Sequence, residues 1–250
     1  MLDISLPADI FDLFLVFARL GGALMLLPGF GEAYVTPRVR LAIALLFTLL
    51  VTPVVLPDLP DLPASPLGVL VLVVRETLVG VFFGVLARLM MSALQMAGMI
   101  VGYQLGIANA FSFDPTSAQQ GALIGTFLAI LAVLLIFVSG LHHMLIGAVI
   151  NSYDVFPPGA PLPMGDFAAA ISETAAKSFL IAVQICAPFL VVGLLFYAGV
   201  GLLGRLMPQV QIFFVALPVQ LGIGLFVFAI SLSVMMMWFL NSFQETMTGL

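Results

Sequence analysis

Residues 201–220 read GLLGRLMPQVQIFFVALPVQ, and the reading of this stretch decides the fold. Its surroundings are strongly apolar, yet it holds Arg205, two prolines, three glutamines and two glycines. Gly204 ends a helix at small cost, and Pro208 forbids its continuation. Met207, before a proline, is driven toward extended backbone. Gln209 and Gln211 then cross a short polar gap before a second apolar run opens, with Pro218 near its first turns or kinking it slightly deeper. The stretch therefore predicts a tight helical hairpin, its turn at Gly204 and Pro208. Lipid offers no partner to backbone or glutamine amides, so such a tip belongs at water or against protein.

Working outward, the whole chain shares this apolar character. Of 250 residues, 63% are hydrophobic and 8% charged, and the mean hydropathy is +1.27. Soluble domains carry about 25% charged residues. Seven basic and twelve acidic side chains cannot coat a soluble domain of this length, so the chain is expected to be an all-α, polytopic integral membrane protein. The net charge of −5 and the lack of a basic cluster point away from nucleic acid. Cys186 stands alone, which excludes an internal disulfide and reads as helix packing. The opening MLDISLPADIFD carries acids and no base, unlike the basic start of a cleaved signal.

Apolar segments run over roughly 10–28, 39–56, 67–108, 121–150, 168–203 and 212–240. A spanning helix needs about 20 apolar residues. The first two segments fit, and the last fits with tilt. The third is too long for a simple span and is either two helices with a tight reversal or one helix that leaves the membrane plane. Prolines at 57, 60, 63 and 66 predict extended chain, and 151–167 reads as a second firm loop. Arg38, Arg40 and Arg205 fall in loops on one side if the six segments alternate, and the basic side is cytoplasmic. No long-period repeat appears, so one compact membrane unit is the simplest division.

Gly80 and Gly84, then Gly98, Gly102 and Gly106, recur at spacing four. Such glycines share a helix face and let another backbone approach closely. They serve packing within the chain or an interface with other subunits. Arg19, Arg75, Glu76 and Arg88 lie inside apolar segments, where each charge costs about 2.5–3.5 kcal/mol on insertion scales. Arg19 is central in its segment and two turns from Asp12, so it either snorkels to an interface or takes another acid, with Glu76 the candidate. His142 and His143 are adjacent and point about 100° apart on a helix. No HExxH or CxxC accompanies them, and no metal or cofactor is expected. Ser139, one turn before His142, lacks a G-x-S-x-G elbow and a third triad member, so its hydroxyl is expected to bond its own helix. Trp238 reads as an interfacial anchor, and the thirteen methionines as adaptable packing.

Several stretches carry a family resemblance. GLLGRLMPQVQIFFVALPVQ closely resembles the signature of the FliR family, the R component of the flagellar type III secretion export gate, to which the T component of virulence injectisomes (SctT) is more distantly related. RLGGALMLLPGFGEAYVTPRVR (19–40) resembles the family's first hairpin, with Arg19, Pro28, Pro37, Arg38 and Arg40 in place. RETLVGVFFG (75–84) and GYQLGIANAFSFDP (102–115) match as well, so the resemblance covers essentially the whole chain.

The resemblance implies a fold of helical hairpins in which a P-like part, about 1–165, is fused to a Q-like hairpin, about 166–250. It implies assembly with P and Q components (FliP and FliQ) beside an FlhB-type switch component and an FlhA-type component, with secreted flagellar proteins as passengers. The location implied is the bacterial inner membrane at the flagellar basal body. Phe111, Phe113, Asp114 and Pro115 are implied to belong to a plug in the pore. Arg19, Glu76 and Arg205 would be charges buried in protein or set at the hairpin. The alternative is a small-molecule secondary transporter, which should show matching helix breaks in two halves; none is found. No nucleophile–base set or nucleotide-binding motif is present, so the chain is expected to be non-enzymatic.

Overall fold

The computed structural model describes residues 6–106, 122–206 and 212–249. Among them lie seven α-helices: α1 (Leu6–Leu24), α2 (Pro37–Val55), α3 (Pro66–Gln104), α4 (Ala122–Val138), α5 (Leu141–Val155), α6 (Met164–Leu206) and α7 (Ile212–Thr248). A single 3-10 turn, Leu56–Asp58, follows α2.

The long third segment is one continuous helix rather than a reversal. At 1.5 Å per residue, α3 with 39 residues extends about 58 Å. α6 with 43 and α7 with 37 residues extend about 65 and 55 Å, against a hydrocarbon core of about 30 Å. α2, α3, α6 and α7 are each long and apolar enough to cross a membrane, and α4 with α5 make a fifth span if the bent pair is counted as one. α1 does not join them, because Asp9, Asp12 and Arg19 fall within its 19 residues. Among the described residues, the six alternating passes expected from hydropathy are thus four or five candidate spans.

The segment 121–150 holds a bend that hydropathy does not display. α4 and α5 meet at 76°, with Gly140 at φ +77° between them. That left-handed conformation is strained for other residues, so Gly140 makes the corner. α5 then runs through Asn151 and Asp154 into what was expected to be loop, because Pro157 is the first residue that cannot continue it. The proline-rich run begins with the 3-10 turn rather than fully extended chain.

By internal packing the chain forms two compact units. One comprises residues 1–89, 136–174 and 246–250. Its helix α1 lies against α2 and α5, and Phe11, Leu15 and Leu72 centre a small apolar core. The ring of Phe82 stacks on Phe167 with centroids 4.0 Å apart. In α2, Ala44, Thr48, Val51 and Val55 form the buried stripe at helical spacing, while Leu45, Leu46, Leu49 and Leu50 are exposed.

The other unit comprises 90–135 and 175–245. Its portions of α6 and α7 pair antiparallel: Trp238 meets Gln184, Phe228 meets Phe189, and Gln220 meets Tyr197. Cys186 is buried there, its thiol directed at the Ala97 carbonyl at 3.3 Å. Trp238 is half-exposed, and its indole N–H donates to Gln184 Oε1 at 3.3 Å.

Candidate functional site

The least expected feature of an apolar chain is a fully desolvated ion pair. Arg19 of α1 and Glu76 of α3 are 0% and 2% exposed, and Arg19 Nε donates to Glu76 Oε2 at 2.6 Å. The guanidinium has five N–H donors, and a buried donor left unbonded is costly. α5 supplies the remaining acceptors. Arg19 Nη1 donates to Ser152 Oγ at 3.1 Å, and the Ser152 hydroxyl in turn donates to the Val149 carbonyl at 2.6 Å. Nη2 donates to the Phe156 carbonyl at 2.8 Å, just past the end of α5. That carbonyl has no partner within the helix, and a cation beside a helix C-terminus opposes the negative end of its dipole. The guanidinium also lies 3.9 Å from the centroid of the Tyr153 ring, a cation–π geometry.

One arginine thus ties three helices together. Snorkelling is excluded by its burial. Ser152, Tyr153 and the Phe156 carbonyl were missed by sequence reading; their signal was only the polar Asn-Ser-Tyr-Asp run after an apolar segment.

The other intrasegment charges lie nearer the surface of the same unit. Arg88 Nη1 pairs with Glu32 Oε1 at 2.7 Å. Arg40 Nη2 donates to the carbonyls of Glu32 and Val35 at 2.9 and 3.3 Å. Together they fasten the α1–α2 connection. Arg75 Nη1 donates to the Gly159 carbonyl at 2.9 Å. Arg38 is exposed.

Gly80 and Gly98 of α3 sit where backbone meets backbone. A Cβ on Gly80 would strike the Arg19 carbonyl, so this glycine admits α1 at the level of the ion pair. A Cβ on Gly84 would lie 2.6 Å from Leu26 Cβ. In the other unit a Cβ on Gly98 would strike Gly125 of α4, a contact of two bare backbones. Gly102 is buried, and Gly106 stands at φ +72° beyond the end of α3. Gly80, Gly84 and Gly98 therefore each face a neighbouring helix or connection of this chain at close range.

In the 201–220 stretch α6 runs through Gly204 and Arg205 to Leu206, so Gly204 stands inside the last turn rather than after it. A single glycine lowers helix stability by only about 1 kcal/mol and does not compel an end. Arg205 is exposed in that last turn. Pro218 is the seventh residue of α7. Pro208 and the residues Phe111, Phe113, Asp114 and Pro115 lie outside the described residues.

Ser139 bonds the carbonyl of Ile136 in its own chain segment at 3.4 Å. The rings of His142 and His143 meet, centroids 3.9 Å apart, rather than diverging, and His142 stacks on Phe137.

Helices of this length and apolarity, with charges neutralised inside protein and glycine seats between them, define a polytopic helical membrane protein whose interior is built on polar knots. The chain belongs to the bacterial export proteins, family 1, which match residues 10–246. It is 38% identical over 231 residues to the flagellar biosynthetic protein FliR of Caulobacter vibrioides, covering 92% of each chain. It is 29% identical to FliR of Bacillus subtilis over 97% of this chain and 95% of that one. With FliR of Escherichia coli K12 it shares 28% identity over 79% and 75% of the two chains.

Proposed function

We propose that the chain is a non-enzymatic core subunit of the flagellar type III protein export gate. It joins P and Q components (FliP and FliQ) to form the membrane pore through which secreted flagellar subunits enter, at the inner membrane in the basal body, next to FlhB-type and FlhA-type components. The observation that carries this reading is the family match over residues 10–246, with FliR relatives aligned along nearly the full chain. Residues 1–165 form a P-like part and 166–250 a Q-like hairpin; the antiparallel pairing of α6 with α7 supports the second half of that division. Residues 111–115 form a seal in the pore.

Physical chemistry favours an assembled state. Phe179, Leu180, Leu194, Leu195 and Leu202 of α6 are all largely exposed on a helix about twice as long as the hydrocarbon core is thick. Protein is the better cover for the part that lipid does not reach.

The test is expression of the chain alone and with its P and Q partners, followed by affinity purification in mild detergent and mass spectrometry of what remains bound. The expected result is degradation or aggregation of the single chain and rescue by the partners in a stable complex. A stable, monodisperse monomer that retains neither partner would overturn the proposal.

A further inference from the structure

The end of α3 is held by a polar contact unrelated to the ion pair. α3 finishes at Gln104, and its last carbonyls need donors from outside the helix. Leu105 N–H returns to the Val101 carbonyl at 2.9 Å, and Gly106 N–H to the Tyr103 carbonyl at 3.0 Å, with Gly106 left-handed. The Gln104 carbonyl is satisfied from another helix: Gln220 of α7 donates Nε2–H to it at 2.8 Å. The same nitrogen donates to the Tyr197 hydroxyl of α6 at 3.0 Å. Both amide protons of Gln220 are thereby used, and its side chain can take no other orientation without losing a bond.

Packing narrows the arrangement further. Leu105 is fully buried, and its side chain fills the place that any side chain at Gly224 would need. Gln220 and Gly224 are four residues apart and share one face of α7. A Cβ on Gly106 would lie 3.2 Å from the Gln220 amide. The amide of Gln104 is seated on Gly193 of α6 in the same way. Three consecutive residues, 104, 105 and 106, are thus read by one face of α7, and Gln220 supplies a directional bond to the first of them.

We propose that Gln220 is a positioning residue: it fixes where the chain leaves α3, so that the placement of α7 and the exit at Gly106 are one variable. Its burial at 7% exposure inside an apolar helix fits a group kept for its bonds rather than for packing. The consequence for export, that a shift of α7 would redirect the chain leading to 111–115, rests on the reading of those residues as a seal.

The experiment uses the assembled complex carrying Gln220→Met, which keeps the length of the side chain and cannot donate, and Tyr197→Phe, which removes one of the two acceptors. Hydrogen exchange is read on the peptide covering 100–106. Gln220→Met should raise exchange there by on the order of tenfold, the scale of one or two lost hydrogen bonds, with Tyr197→Phe intermediate and other peptides of α6 and α7 unchanged. Wild-type exchange in Gln220→Met, or a rise spread evenly over α6 and α7, overturns the proposal. If Gln220→Met prevents assembly, Tyr197→Phe carries the test: raised exchange at 100–106 supports it and wild-type exchange overturns it. Ion permeability of the same complexes separates the two readings. Raised exchange with wild-type permeability keeps Gln220 as the positioning residue and removes the seal.

Discussion

Arg19 and Glu76 stand 57 positions apart in the chain and 2.6 Å apart in the structure, both out of reach of solvent. The pair brings two charges into an apolar interior, and the gain from their attraction roughly offsets the loss of hydration only while both are present. Breaking a buried pair from one side typically costs about 3–5 kcal/mol, whereas an apolar pair of similar volume is often neutral. Arg19→Met and Glu76→Leu should each lower the thermal stability of the purified complex strongly. The double variant should recover most of the loss, and purely additive losses would show that the pair is not coupled.

The glycine seats divide into filled and open positions. Gly80→Ala should lower chain abundance and thermal stability by about 1–3 kcal/mol, the range for forced overpacking, because its methyl group meets the Arg19 carbonyl. A Cβ added at Gly147 of α5 would meet nothing within 4 Å beyond its own helix backbone, so Gly147→Ala should be neutral or stabilise by about 0.5–1 kcal/mol through helix propensity. Thermal scans of both variants in the same detergent decide the point. Equal behaviour would mean that spacing four in α3 carries no packing constraint.

What could be read from sequence follows the physics of each feature. Long apolar runs make helices wherever they occur, so the existence of α2, α6 and α7 was plain, while 67–108 could be read as one helix or as two. Their ends were not: glycine weakens a helix without ending it, and α6 passes through Gly204. The corner at Gly140 lies between two apolar runs and leaves no mark on hydropathy. Glu76 was a natural partner for Arg19 because intrasegment acids are few. Ser152 and Tyr153 lie more than 130 residues away and have ordinary neighbours, so only the fold brings them to the guanidinium. Gln220 was visible as a polar interruption, but its bond to the Gln104 carbonyl depends on the pairing of α3 with α7.

Arg205 lies exposed in the last turn of α6, where a positive charge opposes the helix dipole and an acid adds to it. Such placements are worth about 0.3–1 kcal/mol at exposed sites. Arg205→Glu should therefore impair assembly or motility more than Arg205→Lys. Wild-type motility in both would remove any role for the charge. Partial loss with lysine would point to an acceptor that needs the forked guanidinium.

The seal proposed at 111–115 makes the sharpest functional claim. In the sequence Asn109-Ala110-Phe111-Ser112-Phe113-Asp114-Pro115 begins three positions after Gly106, and Asp-Pro favours a turn over continued helix. Two phenylalanines at spacing two beside an Asp-Pro are poor membrane anchors, for which tryptophan or tyrosine is preferred. An apolar constriction blocks ions by excluding water, with no charge needed. Changing Phe111 and Phe113 together to serine, or deleting residues 110–114, should leave the complex assembled and make it leaky. The measurement is ion or small-solute permeability in cells whose export complex carries the variant, with assembly checked by co-purification. A complex that forms normally and stays as tight as wild type would show that these phenylalanines seal nothing.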